Sequence, residues 1–425
     1  MTHDDNPRNH YMKDDEVNYL EEFDDEDPGE LVAVLDSDGN IIQETISDGD
    51  EADSDCMDDT DFYTPERDDS VVKFHGHQDV FACALSPDGV YAGTGGQDEC
   101  FLLWNTHSGI MLFKSACFKD SVTMIEFSKD GKYIAAGDMA GIVVVWKIVG
   151  GNVNEVYSLT VDDGLKWLQW HPQSNILLVG SPTIWMIQIP TCQVKVFPGV
   201  EPSTDIGRFM PDGKRAAIGY DDGSTKILDL ASGTISCKFP STSTNLDSII
   251  SMAVHPDNDI IAVGSVSSKV AIFKTQRPKL LGTLDCIETG VVEGVQEMLS
   301  TSVESLQFGS SASSPLKLLV AGTDNALHIV DYLKLNVRNT IKVAEGLTRF
   351  VWPEGSDYIF VGTKKGPINV YNPFTNEQMM SFLGHSSTIF DINYSKMGKK
   401  LITGGEDVYV RIFNMVEVRP LESAS

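Results

Sequence analysis

The chain has 425 residues, 41% of them apolar, and a formal net charge of −30 at pH 7. Such acidity argues against a nucleic-acid binder, which needs clustered lysine and arginine to displace counterions from a phosphate backbone. It favours basic protein partners instead. The charge is uneven: residues 1–70 hold 26 Asp and Glu against Arg8, Lys13 and Arg67, net −23, and the other 355 residues hold 36 against 29, net −7.

The N-terminus has no apolar stretch of the kind a secretory signal carries, and no run approaches the ~20 apolar residues of a membrane span. The cysteines at 56, 83, 100, 117, 192, 237 and 286 are scattered and form no CxxC pair. They read as reduced thiols of a cytoplasmic protein, without excluding the nucleus. Residues 1–69 are predicted to be an acidic, mostly disordered tail, since charge is high and aromatics are few. Glu30–Ile46 is the exception, with two apolar runs flanking Asp38-Gly39 as in a hairpin. Asp36-Ser-Asp-Gly-Asn40 starts like a calcium loop but lacks its glycine and closing glutamate, so it reads as a turn.

From Ser70 to about residue 416 one phrase of about 43 residues returns eight times. The clearest copies run His75–Asn105, Lys119–Lys147 and Leu383–Asn414. Each has an alternating strand a, a turn such as Ser86-Pro-Asp-Gly, a small-residue strand b such as YAGTGG, a strand c such as CFLLWN, and a shorter strand d. The prediction is an all-β, eight-bladed WD40 β-propeller. The eighth unit has no strand d after Asn414. Ser70–Phe74 precedes His75-Gly-His77 as Met380–Phe382 precedes Gly384-His385, so the first folded segment is expected to complete the last blade and close the ring. The third unit has a shortened b–c connection, the fifth has Ser267-Ser268 where Asp is expected, and an insertion of about 277–302, with one or two helical turns, separates units five and six. Residues 417–425 read as a C-terminal tail.

His77, Thr94, Asp98 and Trp104 are the four residues of a WD hydrogen-bonded set, and His385, Thr403 and Asp407 repeat three of them with Phe413 in place of the tryptophan. A Ser/His/Asp hydrolase uses similar residues. Recurrence at blade spacing favours the structural role, and no nucleophile elbow, phosphate loop or metal cluster is present. No enzyme activity, cofactor or metal is therefore expected.

In a propeller the d–a and b–c loops share one side and the a–b and c–d loops the other. Asp79, Asp120, Asp163, Asp205, Asp247 and Glu345 near strand a, with Glu99, Asp221 and Glu406 in b–c turns, make the first side an expected acidic mouth. Lys129, Lys132, Lys214, Arg215, Lys396, Lys399 and Lys400 in a–b turns make the second an expected basic base.

The stretches Lys119–Trp146, Leu165–Pro172 and Pro211–Gly223 resemble the angio-associated migratory cell protein family, which includes a fungal ribosome-assembly WD-repeat protein. The resemblance implies an eight-bladed propeller. It also implies a dedicated chaperone that holds the basic N-terminal segment of a newly made large-subunit ribosomal protein on an acidic propeller face. Asp79, Asp120, Asp163, Asp247 and Glu345 are the residues onto which that site is carried. The alternative it implies is a signalling or cell-migration scaffold with several protein partners, and in either case a monomer is expected.

Overall fold

The computed structural model describes residues 64–116, 118–197, 202–292, 295–299, 301–310 and 317–415, with backbone alone at 288–292, 295–299, 310 and 317. It also gives the backbone of Val32–Leu35 and Ile41–Thr45, an antiparallel pair. The predicted disorder of residues 1–63, the glutamates of the insertion and the C-terminal residues 417–425 lie outside the described side chains, whereas residues 64–69, also expected to be disordered, are described and reach the ring through Asp69. The chain divides into two compact units, residues 1–60 and 61–425.

The second unit is a ring of eight four-stranded antiparallel sheets. Blade 1 comprises Val80–Leu85, Tyr91–Gly96, Phe101–Asn105 and Met111–Lys114. The following blades open at Val122, Trp167, Thr204, Ile249, Ser305, Leu347 and Ile389. Strand a lies innermost in each. Strands b and c carry the core, which is why they read as nearly continuous runs of small and β-branched residues: Ala135, Ala136, Val143 and Val145 are fully buried.

The last blade is completed from the other end of the ring. Val72–His75 pairs antiparallel with Tyr409–Asn414, Val72 opposite Ile412 and His75 opposite Tyr409. Phe74 then buries its ring on Trp104 of blade 1, centroids 4.3 Å apart. Just ahead, Asp69 exchanges bonds with Leu383, its N–H reaching the Leu383 carbonyl and its carboxylate accepting the Leu383 N–H at 2.9 Å.

Neighbouring blades are clasped along the channel by polar side chains of strand a. Glu126, Gln169, Gln307 and Asn393 occupy equivalent places near its end. Each accepts a main-chain N–H of the next blade: Trp170 at 2.8 Å, Phe209 at 2.6 Å, Trp352 at 2.8 Å and Leu85 at 3.2 Å. The inner edge of a blade leaves strand N–H groups unpaired, and these clasps satisfy them.

Two expectations are corrected. The insertion holds a second hairpin, Glu288–Val292 paired with Val295–Leu299, and not helical turns. Its valines favour extended backbone. It is also shorter than 277–302, because Lys279–Asp285 is strand d of blade 5. The unexpected serine of that blade explains how the excursion is tied. Buried Ser268 donates its Oγ to the Thr301 carbonyl, accepts the Thr301 N–H at 2.7 Å, and its own carbonyl accepts the Cys286 N–H at 2.7 Å. In blade 3 the short connection is repaired by Trp167. Its ring lies against Gly180 and Gly207, and Thr204 Oγ1 accepts its Nε1–H at 3.3 Å while donating to the Ser181 carbonyl.

Candidate functional site

In blade 1 the imidazole of His77 lies between Asp98 Oδ1, 2.5 Å from Nδ1, and Thr94 Oγ1, 2.9 Å from Nε2; Trp104 Nε1 donates to the same hydroxyl at 2.9 Å. Blade 8 has His385 between Asp407 at 2.7 Å and Thr403 at 2.7 Å. Here a buried cation is added: Arg411 Nη1 donates to Asp407 Oδ2 at 2.9 Å. Burial lowers the His385 pKa despite the adjacent carboxylate, while His385 and Arg411 hold Asp407 below the usual carboxylate range against its own burial. The result is a neutral imidazole beside an ion pair, a locked set that stitches strands together. A hydrolase would require a reachable nucleophile, and Thr94 and Thr403 are fully buried.

The topology sets the candidate acidic residues on the side of the d–a and b–c loops. Asp120, Asp163, Asp221 and Asp247 are exposed and make no ion pair among the described residues. Asp120 Oδ1 accepts the Ser121 N–H at 2.7 Å. Glu99 and Asp163 are exposed with left-handed backbone, φ 58° and 61°. Asp79 and Glu406 are brought together where blade 8 meets blade 1, and burial, with Glu406 beside it, raises the Asp79 pKa. Asp205 accepts the Ser248 hydroxyl at 2.6 Å, Glu345 accepts the Asn369 amide at 3.1 Å, and Glu406 accepts the Ser387 hydroxyl. The loop lysines on this side are Lys119, Lys166, Lys364 and Lys365, and Asp324 pairs with Lys364.

The basic base does not hold as expected. Lys400 is buried, its ammonium donating to Thr106 Oγ1 at 2.7 Å. Asp212 pairs with Arg215 at 2.9 Å, Asp130 with Lys132 at 3.4 Å, and Glu354 with Lys396 at 2.8 Å. Three of the seven bases thus stand beside an acid, two of them within one turn and the third across two blades, which reduces the positive charge of this side.

The channel itself carries charges that the repeat pattern conceals. Asp205, Arg208, Arg349, Asp391 and Glu126 line a recess of about 460 Å³ contributed by several blades. Arg349 pairs with Asp391 at 3.2 Å, and Asp391 Oδ2 also accepts the Cys83 N–H at 2.9 Å, across the seam between blades 8 and 1. Burial raises the pKa of Asp391 and pushes Glu126 up to about 7, against the pull of the Trp170 N–H and Arg208. The recess therefore mixes both signs, with Lys166, Arg208 and Arg349 against Glu126, Asp205 and Asp391. Among the described residues no group of three His, Cys, Asp or Glu could hold a metal ion, and no helix is long and apolar enough to cross a membrane.

Eight four-stranded sheets in a ring, with the His–Asp–Thr–Trp set in blade 1 and its His–Asp–Thr part in blade 8, define a WD-repeat β-propeller protein, and the WD domain, G-beta repeat, matches at residues 68–105, 112–147 and 376–414. More specifically, the chain belongs to the angio-associated migratory cell protein family. It is 31% identical to the human and dog members over 355 residues, covering 81% of this chain and 80% of theirs. Its fold is similar to that of Sqt1 from Saccharomyces cerevisiae, with TM-score 0.70, 20% identity, and coverage of 81% of this chain and 98% of that one. Sqt1 from Chaetomium thermophilum, bound to the N-terminus of the ribosomal protein L10, matches with TM-score 0.70 and 19% identity over 82% of this chain and 100% of its own.

Proposed function

We propose that this propeller is a dedicated chaperone that works by binding alone, holding the basic N-terminal segment of a newly made large-subunit ribosomal protein at its acidic mouth. The observation that carries the reading is the set of exposed carboxylates Asp120, Asp163, Asp221 and Asp247, outside any ion pair among the described residues and borne by the loops of blades 2 to 5 on one side of the ring. The fold neighbour from C. thermophilum, bound to the N-terminus of L10, supports it.

The physics fits a cationic client. Each rim pair contributes only ~0.2–1 kcal/mol. Several carboxylates around a concave opening nonetheless raise the local concentration of a cationic segment and its association rate, and their contributions sum. A free basic segment would otherwise condense on RNA, so masking it before delivery has a clear use.

Affinity purification at low and raised salt tests the reading. One stoichiometric ribosomal protein, released as salt rises, is the expected result. Several partners retained at high salt would support a signalling or migration scaffold instead.

A further inference from the structure

Blade 2 departs from blade 1 where the hydrogen-bonded set of four would stand. Lys119 takes the place of His77, Ala136 that of Thr94 and Ala140 that of Asp98, while the tryptophan is kept as Trp146. The connection that enters the blade, from Lys114 to Val122, is longer than the one from His75 to Val80 that enters blade 1. In blade 1 that short connection closes over the tryptophan: Phe74 stacks on Trp104, and Gly76 lies against the same ring. Between blades 1 and 2 lies a groove of about 320 Å³.

The groove is lined by Phe113, Phe118, Ile142, Val144, Trp146 and Glu155. Ile142, Val144 and Trp146 alternate along one strand and share a face. Phe113 and Phe118 stand at 61° and 70° to Trp146, with centroids 6.0 and 6.2 Å away, and Phe101 stacks beneath it at 4.7 Å. Glu155 is the cross-strand partner of Trp146 at a bulge. It is exposed and makes no ion pair among the described residues. Rings set at steep angles around a small volume attract cations through their electron-rich faces, and a carboxylate at the rim adds to that attraction. Ile142 and Val144 supply the apolar wall that an aliphatic stem requires.

We propose that this groove is a second binding site, for an alkyl cation: the arginine or lysine side chain of a partner. It lies at the seam of two blades and does not depend on the client assigned to the mouth. The test needs no partner. In ¹⁵N-labelled full-length protein the indole N–H of Trp146, assigned from the spectrum of Trp146→Phe, is the reporter. That of Trp104, held by Thr94, is the internal reference. Titration with n-butylguanidinium should move the Trp146 resonance saturably, at lower concentration than either n-butanol or guanidinium, with Trp104 unmoved. Glu155→Gln should weaken the effect about two- to fivefold, the loss of one partly exposed cation contact. An unchanged Trp104 resonance in that variant shows that blade 1 keeps its fold. No saturable shift, equal response to n-butanol, or full retention in Glu155→Gln would overturn the proposal.

Discussion

The carboxylate of Glu126 in blade 2 accepts the main-chain N–H of Trp170 in blade 3 at 2.8 Å, and burial pushes its pKa from 4.5 up to about 7. The folded state therefore keeps a proton that the unfolded chain has lost between those values. This contribution is fully present below pH 4.5 and disappears as pH rises through about 7. Its slope approaches ~1.4 kcal/mol per pH unit at most. Glu126→Gln keeps an acceptor for Trp170 and removes the titration. Denaturant midpoints at pH 5, 6 and 7 should fall for the parent relative to the variant, and parallel profiles would show that Glu126 titrates as it does in the unfolded chain.

The shared hydroxyl of Thr94 offers a second measurement. Thr94→Ala leaves both His77 Nε2 and Trp104 Nε1 without their buried partner. The expected loss is about 1–3 kcal/mol by chemical denaturation. Blade 2 shows that alanine at this place is compatible with the fold when the histidine is also absent. His77→Lys combined with Thr94→Ala should therefore lose less than the sum of the two single changes.

Trp167 makes the seam of blades 3 and 4 intolerant of a single methyl group. A Cβ on Gly207 would lie 2.3–2.6 Å from the Trp167 ring, which is pinned on its other side by Gly180. Gly207→Ala should cost about 1–3 kcal/mol through forced repacking. Recovery in the double variant Gly207→Ala with Trp167→Leu, measured as thermal midpoint, would locate the strain in that contact.

Reversal of charge at the mouth separates binding from folding. Asp120 and Asp163 are exposed and outside any ion pair among the described residues, so Asp120→Lys with Asp163→Lys should shift the thermal midpoint little. Client binding should fall at least tenfold at low salt, with a shallower salt dependence, as read by titration calorimetry. Undiminished binding would remove the mouth from the mechanism.

The ring was legible because its signals repeat: the turn at Ser86-Pro-Asp-Gly recurs at equivalent places, and the strand ahead of His75 matches the one ahead of Gly384. Single positions were less legible. Glu126, Arg208, Arg349 and Asp391 each interrupt an alternating strand that otherwise looks half-exposed, and their convergence on the axis depends on ring closure. Arg411 hides in a run of β-branched residues. The charge of the second side is hard to read from sequence because Lys132, Arg215 and Lys396 have to be weighed with Asp130, Asp212 and Glu354, whose carboxylates lie within ion-pair distance of them. The hairpin of the insertion was missed because a short apolar run of mixed propensity does not distinguish strand from helix.

The pairing of Val72–His75 with Tyr409–Asn414 also dictates an order of events during synthesis. The strand that seals the circle leaves the ribosome among the first of the ring and must wait, its edge unpaired, until its partner emerges more than three hundred residues later. Seven blades can assemble in sequence, but the circle acquires its final continuity in one late step. Until that step the ring passes through an interval of vulnerability of its own.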